Sequence, residues 1–78
     1  MKDVKVLGPG CKRCQTTEDM VRAEAERLGV PVQIDKITDY AAIAGYGVLS
    51  TPGVVVDGKL VHAGGLPKAE DIARWLTA

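Results

Sequence analysis

Charged and aliphatic side chains alternate from Lys2 to Leu7, with Val4 and Val6 on one face and Leu7 on the other. That is the two-residue period of a short strand. Gly8-Pro9-Gly10 breaks it sharply. From Cys11 the period becomes helical. Cys14, Thr17, Val21, Ala25 and Leu28 form one stripe, while Asp19, Arg22, Glu26 and Arg27 lie off it. Glu18 and Arg22 add a favourable i,i+4 pair on the wet side. Gly29 suits the position just past this helix, and Pro31 prevents its continuation.

Val30, Val32 and Ile34 then alternate with Gln33 and Asp35, as expected for a half-exposed strand near a sheet edge. Thr38 or Asp39 can cap a shorter helix through Ala41, Ala42, Ile43 and Ala44, which Gly45 and Gly47 end. The unbroken run Val54-Val55-Val56 suits a strand buried on both faces. Asp57-Gly58 is the strongest two-residue hairpin signal there is, and it feeds a returning strand from Lys59 to Ala63. Gly64-Gly65 ends that strand, and Pro67 fits the first turn of a last helix whose buried stripe is Ala69, Ile72, Ala73 and Leu76.

The order is strand, helix, strand, helix, strand, strand, helix. A helical crossover makes the first two strands parallel, with a right-handed connection. The last two strands form an antiparallel hairpin. The expectation is an α/β domain over residues 1–78: a four-stranded mixed sheet flanked by three helices, some on each face.

Composition narrows the function. At 78 residues, about 60% of the extended chain's surface can be buried, enough for one small core. With no Phe, that core is built from Val, Ile, Leu and Ala. Ten Lys plus Arg balance ten Asp plus Glu, and no basic run occurs, which argues against binding a nucleic-acid backbone. No apolar stretch approaches the roughly 18 residues of a membrane span. Met1-Lys2-Asp3-Val4-Lys5 lacks the apolar core of a signal peptide, so a cytoplasmic location is expected.

Two cysteines remain, Cys11 and Cys14. A bridge between them would close a tiny loop and remove little unfolded-state entropy. They are there for reactivity or for metal. Cys11 falls at the start of the longest helix, where unsatisfied backbone N–H groups and the helix dipole stabilise an anion. Lys12 and Arg13 add positive charge beside it. Together these draw the thiol pKa from about 8.5 towards the ~3.5–7.5 range of activated cysteines. Cys14, one turn inward on the core stripe, is placed to attack a mixed disulfide on Cys11. An outer nucleophile and an inner resolving thiol are the two halves of disulfide exchange.

Rival readings use the same atoms. Two core cysteines can share a helix face by chance, but Cys11 follows a Gly-Pro-Gly turn. Two thiolates also make half of a zinc site, yet a closed site needs four ligands and the one histidine to join them is His62. A lone His in a hairpin strand is ordinarily sheet surface or core. A copper or zinc carrier is the alternative from a different functional class. Small copper carriers place Met before the motif and end in a strand, whereas here Gly10 precedes Cys11 and the chain closes on a helix. An iron–sulfur cluster shared by a dimer rests on the same two sulfurs alone.

Taken together, the Cys11–Cys14 motif at a helix start, Ser50-Thr51-Pro52-Gly53 before a Val-rich strand, and the Asp-Gly hairpin resemble the thioredoxin/glutaredoxin superfamily. The resemblance is closest to its small thioredoxin-like redox-active disulfide proteins and covers essentially the whole chain. It implies the minimal thioredoxin-like core, βαβαββα. It also implies a thiol–disulfide oxidoreductase with a redox-active Cys11–Cys14 disulfide and neither metal nor bound cofactor. Thr51-Pro52 would be a cis bond facing the cysteines. The Thr51 backbone would pair with an extended substrate segment, and the Pro52 ring would sit against the sulfurs. Pro9, Gly10, Val48, Leu49, Gly53 and Gly64 would form a flat docking rim. The implied partners are disulfide-containing proteins and a separate disulfide reductase, with the protein acting as a monomer. The family's pattern is followed only in part: Lys12-Arg13 replaces the Gly-Pro of thioredoxins, and Gly64-Gly65 is followed by Leu66-Pro67-Lys68 rather than an acidic pair.

Overall fold

Lys2–Leu7 form the first strand, β1, which lies inside the sheet with a neighbour on each side. The computed structural model describes residues 1–10 and 12–78, and its elements follow the expected order. After β1 come α1 (Lys12–Leu28), β2 (Val32–Ile37), α2 (Tyr40–Gly45), β3 (Gly53–Val56), β4 (Lys59–Ala63) and α3 (Ala69–Thr77). The sheet order is β2-β1-β3-β4. β2 runs parallel to β1, as an α-helical crossover requires, and β3 runs antiparallel to it. The half-exposed alternation of Val32, Ile34 and their polar neighbours thus marks an edge strand, and the Val-rich run an inner one.

Two apolar layers follow from the two faces of β1. Val4, with Val54 and Val56 of β3, packs against Val21 and Ala25 of α1 and Ile72 and Leu76 of α3. On the other face Leu7 and Val55 meet Ile43 of α2 and Val48 of the loop after it. Burying each such aliphatic side chain contributes about 1.5–3 kcal/mol relative to leaving it exposed, which is how a core without Phe is assembled. α2 is short and is capped as expected: Asp39 accepts a hydrogen bond from the Ala42 N–H at 3.1 Å.

The Asp57-Gly58 turn has positive φ at both residues, +50° and +83°, the backbone that matches the twist of the flanking strands. Asp57 is fixed there by backbone and side chain. Its N–H donates to the Asp3 carbonyl at 2.8 Å and its Oδ1 accepts from the Asp3 N–H at 3.0 Å.

Two expectations are corrected at the last helix. Pro67 lies outside it, buried, because Lys68 is still extended (φ −88°, ψ 149°) and the helix begins at Ala69. Ala69 is therefore exposed at the first turn, and the fully buried stripe narrows to Ile72 and Leu76. A third feature has no sequence signal. Val54 pairs with His62 but Val55 pairs with Leu60, so Val61 is an extra residue, a β-bulge in β4. No described helix is long and apolar enough to cross a membrane.

Candidate active site

The site forms where β1 ends, α1 begins and β3 starts. Beyond Leu7, the Gly8 N–H donates to the Ile37 carbonyl at 2.9 Å, carrying the β1–β2 pairing one residue further before the chain turns. Gly10 completes that turn at φ +89°, a conformation that favours glycine. Cys11 lies outside the described residues, and with it the nucleophile expected there. Lys12 and Arg13 are both exposed in the first turn of α1, which contains no acidic residue. Positive side chains and the positive end of a 17-residue helix therefore coincide.

Cys14 opens the buried stripe of α1 and is 6% exposed. It is not a free thiol. Below it, Thr17 is completely buried, and its hydroxyl donates to the Arg13 carbonyl at 2.8 Å, satisfying the one polar atom on this stretch of the stripe. Gly8 packs directly against the cysteine. A Cβ at position 8 would overlap Cys14 Sγ and would lie 3.3 Å from Cys14 Cβ and 3.6 Å from Thr51 Cβ. The absence of a side chain at Gly8 is what lets the Cys14 and Thr51 segments approach each other.

Thr51-Pro52 is a cis peptide bond, the isomer the family resemblance implied. Pro52 is almost completely buried and Thr51 half-buried. The Pro52 carbonyl accepts a hydrogen bond from the Gly64 N–H at 2.9 Å, and Gly64 packs on Ser50 so closely that a Cβ there would lie 3.0 Å from Ser50 Cβ. Gly64 thus braces the proline loop from behind. The rim is narrower than expected. Val48 and Gly53 do not reach it, because both are buried; Gly53 sits in a niche where a Cβ would meet Val48 Cγ2 at 3.0 Å and Leu7 Cδ1 at 3.4 Å. Pro9, Gly10 and Leu49 are exposed, Leu49 at 99%.

A family model described as a thioredoxin domain matches residues 2–77. A thioredoxin from Methanocaldococcus jannaschii is 38% identical over 73 residues, which cover 94% of this chain and 84% of that protein. The chain belongs to the thioredoxin domain family. That family is one of thiol–disulfide oxidoreductases, and the four-stranded mixed sheet with three helices is its minimal α/β fold.

In this thioredoxin-domain protein the Cys14 side of the site opens into a small pocket of about 50 Å³, lined by Val6, Gly8, Gly10, Cys14, Gln15 and Lys36. Lys36 Nζ donates to Gln15 Oε1 at 2.9 Å and forms an ion pair with Glu18 Oε1 at 3.1 Å, while Arg22 holds the other Glu18 oxygen at 2.8 Å. Burial opposes ionisation of Glu18 and is the largest single influence. Arg22 and Lys36 together outweigh it and hold the carboxyl below its ordinary pKa of 4.5. Gly8, Gln15 and Lys36 escaped the reading of the sequence, in which Gly8 is only a strand breaker. A signal for Lys36 existed. It continues the inward alternation Val32, Ile34, and the parallel register sets it beside Val6, next to the strand's end.

His62, the one histidine of the chain, is engaged away from Cys14. Its Nε2 lies 2.9 Å from the Gly65 carbonyl and its ring packs on Trp75, with centroids 5.8 Å apart.

Proposed function

We propose that this thioredoxin-domain protein exchanges disulfides with protein substrates through Cys11 and Cys14. The Cys11 thiolate attacks a substrate disulfide, forming a mixed disulfide and releasing one substrate thiolate. The Cys14 thiol then loses its proton and attacks the Cys11 sulfur. A Cys11–Cys14 disulfide forms, the second substrate thiolate leaves, and two electrons have passed to the substrate. A separate reductase returns the electrons. Sulfur carries the whole exchange, so no bound cofactor enters it.

The observation that supports this reading best is the setting of Cys14. It is a buried sulfur at the first turn of α1, packed on a bare glycine backbone whose other neighbour is the Thr51–Pro52 cis segment. A buried thiol suits the internal, resolving step, while the outer position suits attack on a partner. Lys12 and Arg13 would favour the Cys11 thiolate. The half-buried Thr51 backbone would pair with an extended stretch of the substrate, and exposed Gly10, Pro9 and Leu49 would flank it. The expected setting is the cytoplasm, where dithiols are kept reduced.

The test is trapping. Cys14→Ser protein, incubated with a disulfide-linked model peptide, should accumulate a covalent adduct that dithiothreitol releases, and Cys11→Ser protein should not. Failure of Cys14→Ser to form any adduct, together with stoichiometric copper or zinc on reduced wild-type protein, would overturn the reading in favour of metal carriage.

A further inference from the structure

The β-bulge in β4 sets the direction of His62. Leu60 stands opposite Val55, whose side chain belongs to the α2 face, and His62 stands opposite Val54, whose side chain belongs to the α1–α3 face. In a regular strand residues 60 and 62 would share a face. The extra residue, Val61, also packs against the α1–α3 core, so the bulge turns two successive side chains to that side. His62 consequently rests on Trp75 of α3, the rings tilted by 46°.

From there the imidazole reaches the Gly64-Gly65 turn. Its Nε2 is 2.9 Å from the Gly65 carbonyl. A carbonyl can only accept, so Nε2 carries the hydrogen, as it does in one neutral tautomer and in the imidazolium alike. The turn it holds consists of two consecutive glycines at φ +82° and +69°, a dipeptide with little backbone preference of its own. The other end of that dipeptide performs the bracing described above, with the Gly64 N–H on the Pro52 carbonyl and Gly64 against Ser50. A continuous set of contacts therefore runs from α3 through Trp75, His62, Gly65 and Gly64 to the proline loop.

We infer that His62 is a positioning residue for substrate docking. By pinning the Gly64-Gly65 turn to α3, it fixes the amide that holds the Pro52 carbonyl, and so the orientation of the Thr51 backbone that receives a substrate's extended segment. The inference rests on the proposed function for its consequence, but not for the clamp itself. The clamp contributes to binding an extended peptide and contributes nothing to a disulfide too small to pair with a backbone.

The experiment compares wild-type protein with His62→Leu and His62→Gln, the latter able to donate from its side-chain amide. Two substrates are used: a disulfide-linked peptide and bis(2-hydroxyethyl) disulfide. His62→Leu should reduce the preference for the peptide about fivefold, the worth of one hydrogen bond, through KM rather than kcat. His62→Gln should recover most of it. The Gly64 amide should exchange its hydrogen faster in His62→Leu than in wild-type protein. An equal loss on both substrates would mark a purely structural role and overturn the inference, as would an unchanged preference. If wild-type protein reduces neither substrate, the proposed function fails. The Gly64 exchange rate then still decides the clamp, with equal rates overturning it.

Discussion

Gly8 lies so close to Cys14 that a methyl group at position 8 would overlap the cysteine's sulfur. The obstacle is a side chain held in the core stripe of a long helix, not the free end of a flexible group. Gly8→Ala should therefore act as an overpacking substitution. It should cost about 1–3 kcal/mol in urea denaturation and slow disulfide exchange in the same protein. Stability and exchange both at wild-type levels would show that α1 can shift away from β1 at little cost.

Removing the two positive charges between the cysteines should make the protein a weaker oxidant. On the proposed function, Lys12 and Arg13 would favour the thiolate and hence the reduced form, so Lys12→Ala/Arg13→Ala should lower the reduction potential. Each side chain is exposed, so the stability of the fold should change by less than about 0.5 kcal/mol. Equilibration against a glutathione redox buffer measures the potential, and a value equal to the wild type's would remove these residues from the tuning of Cys11.

Glu18 gives the fold an acid-sensitive component. Its pKa in the folded protein is below 4.5, since the ion pairs with Arg22 and Lys36 exceed the burial penalty. A lowered carboxylate pKa stabilises the fold fully above the unfolded value, and that stabilisation is lost as the pH falls through the folded value. Glu18→Gln should thus be less stable than wild type near neutrality, with the difference shrinking below about pH 4.5. Denaturation midpoints at several pH values check this. A difference that grows on acidification would contradict the assigned ion pairs.

Ile72 has no exposed surface and joins α3 to both α1 and the sheet. Ile72→Ala should cost about 2–5 kcal/mol. A domain of this length has only about 4–12 kcal/mol of stability in all. The expected result is a large drop in the thermal midpoint, seen by circular dichroism.

Much of this architecture is written in local patterns. Alternation marks β1 and β2, the stripe from Cys14 to Ala25 marks α1, and the Asp57-Gly58 pair fixes the hairpin. Asp39 was one of two capping candidates and proves to be the cap. The Thr51-Pro52 isomer was legible only through family resemblance, because cis bonds occur in about 5–6% of X-Pro pairs and carry no compositional mark. What stayed hidden depends on distant parts of the chain. The Val61 bulge depends on cross-strand packing, and Val48 and Gly53 are hidden because they close on each other. Gly8 has meaning only once α1 is folded back over β1. Lys36 gains its place beside Cys14 from the register of two parallel strands.

Lys2 holds the Asp57 carboxylate at 3.3 Å and donates to the Ala78 carbonyl at 2.8 Å. The first and last residues of the domain and the hairpin turn therefore gather at one pole of the sheet, and β1 runs from that pole to Gly8 and Cys14 at the other. For protein engineering this separates attachment from chemistry. A fluorescent label, surface tether or fused domain joined at residue 1 or residue 78 departs from the pole opposite Cys14. A linker joining residue 78 back to residue 1 would need to span only a short gap, so the domain is a natural candidate for circular permutation, with new ends cut elsewhere.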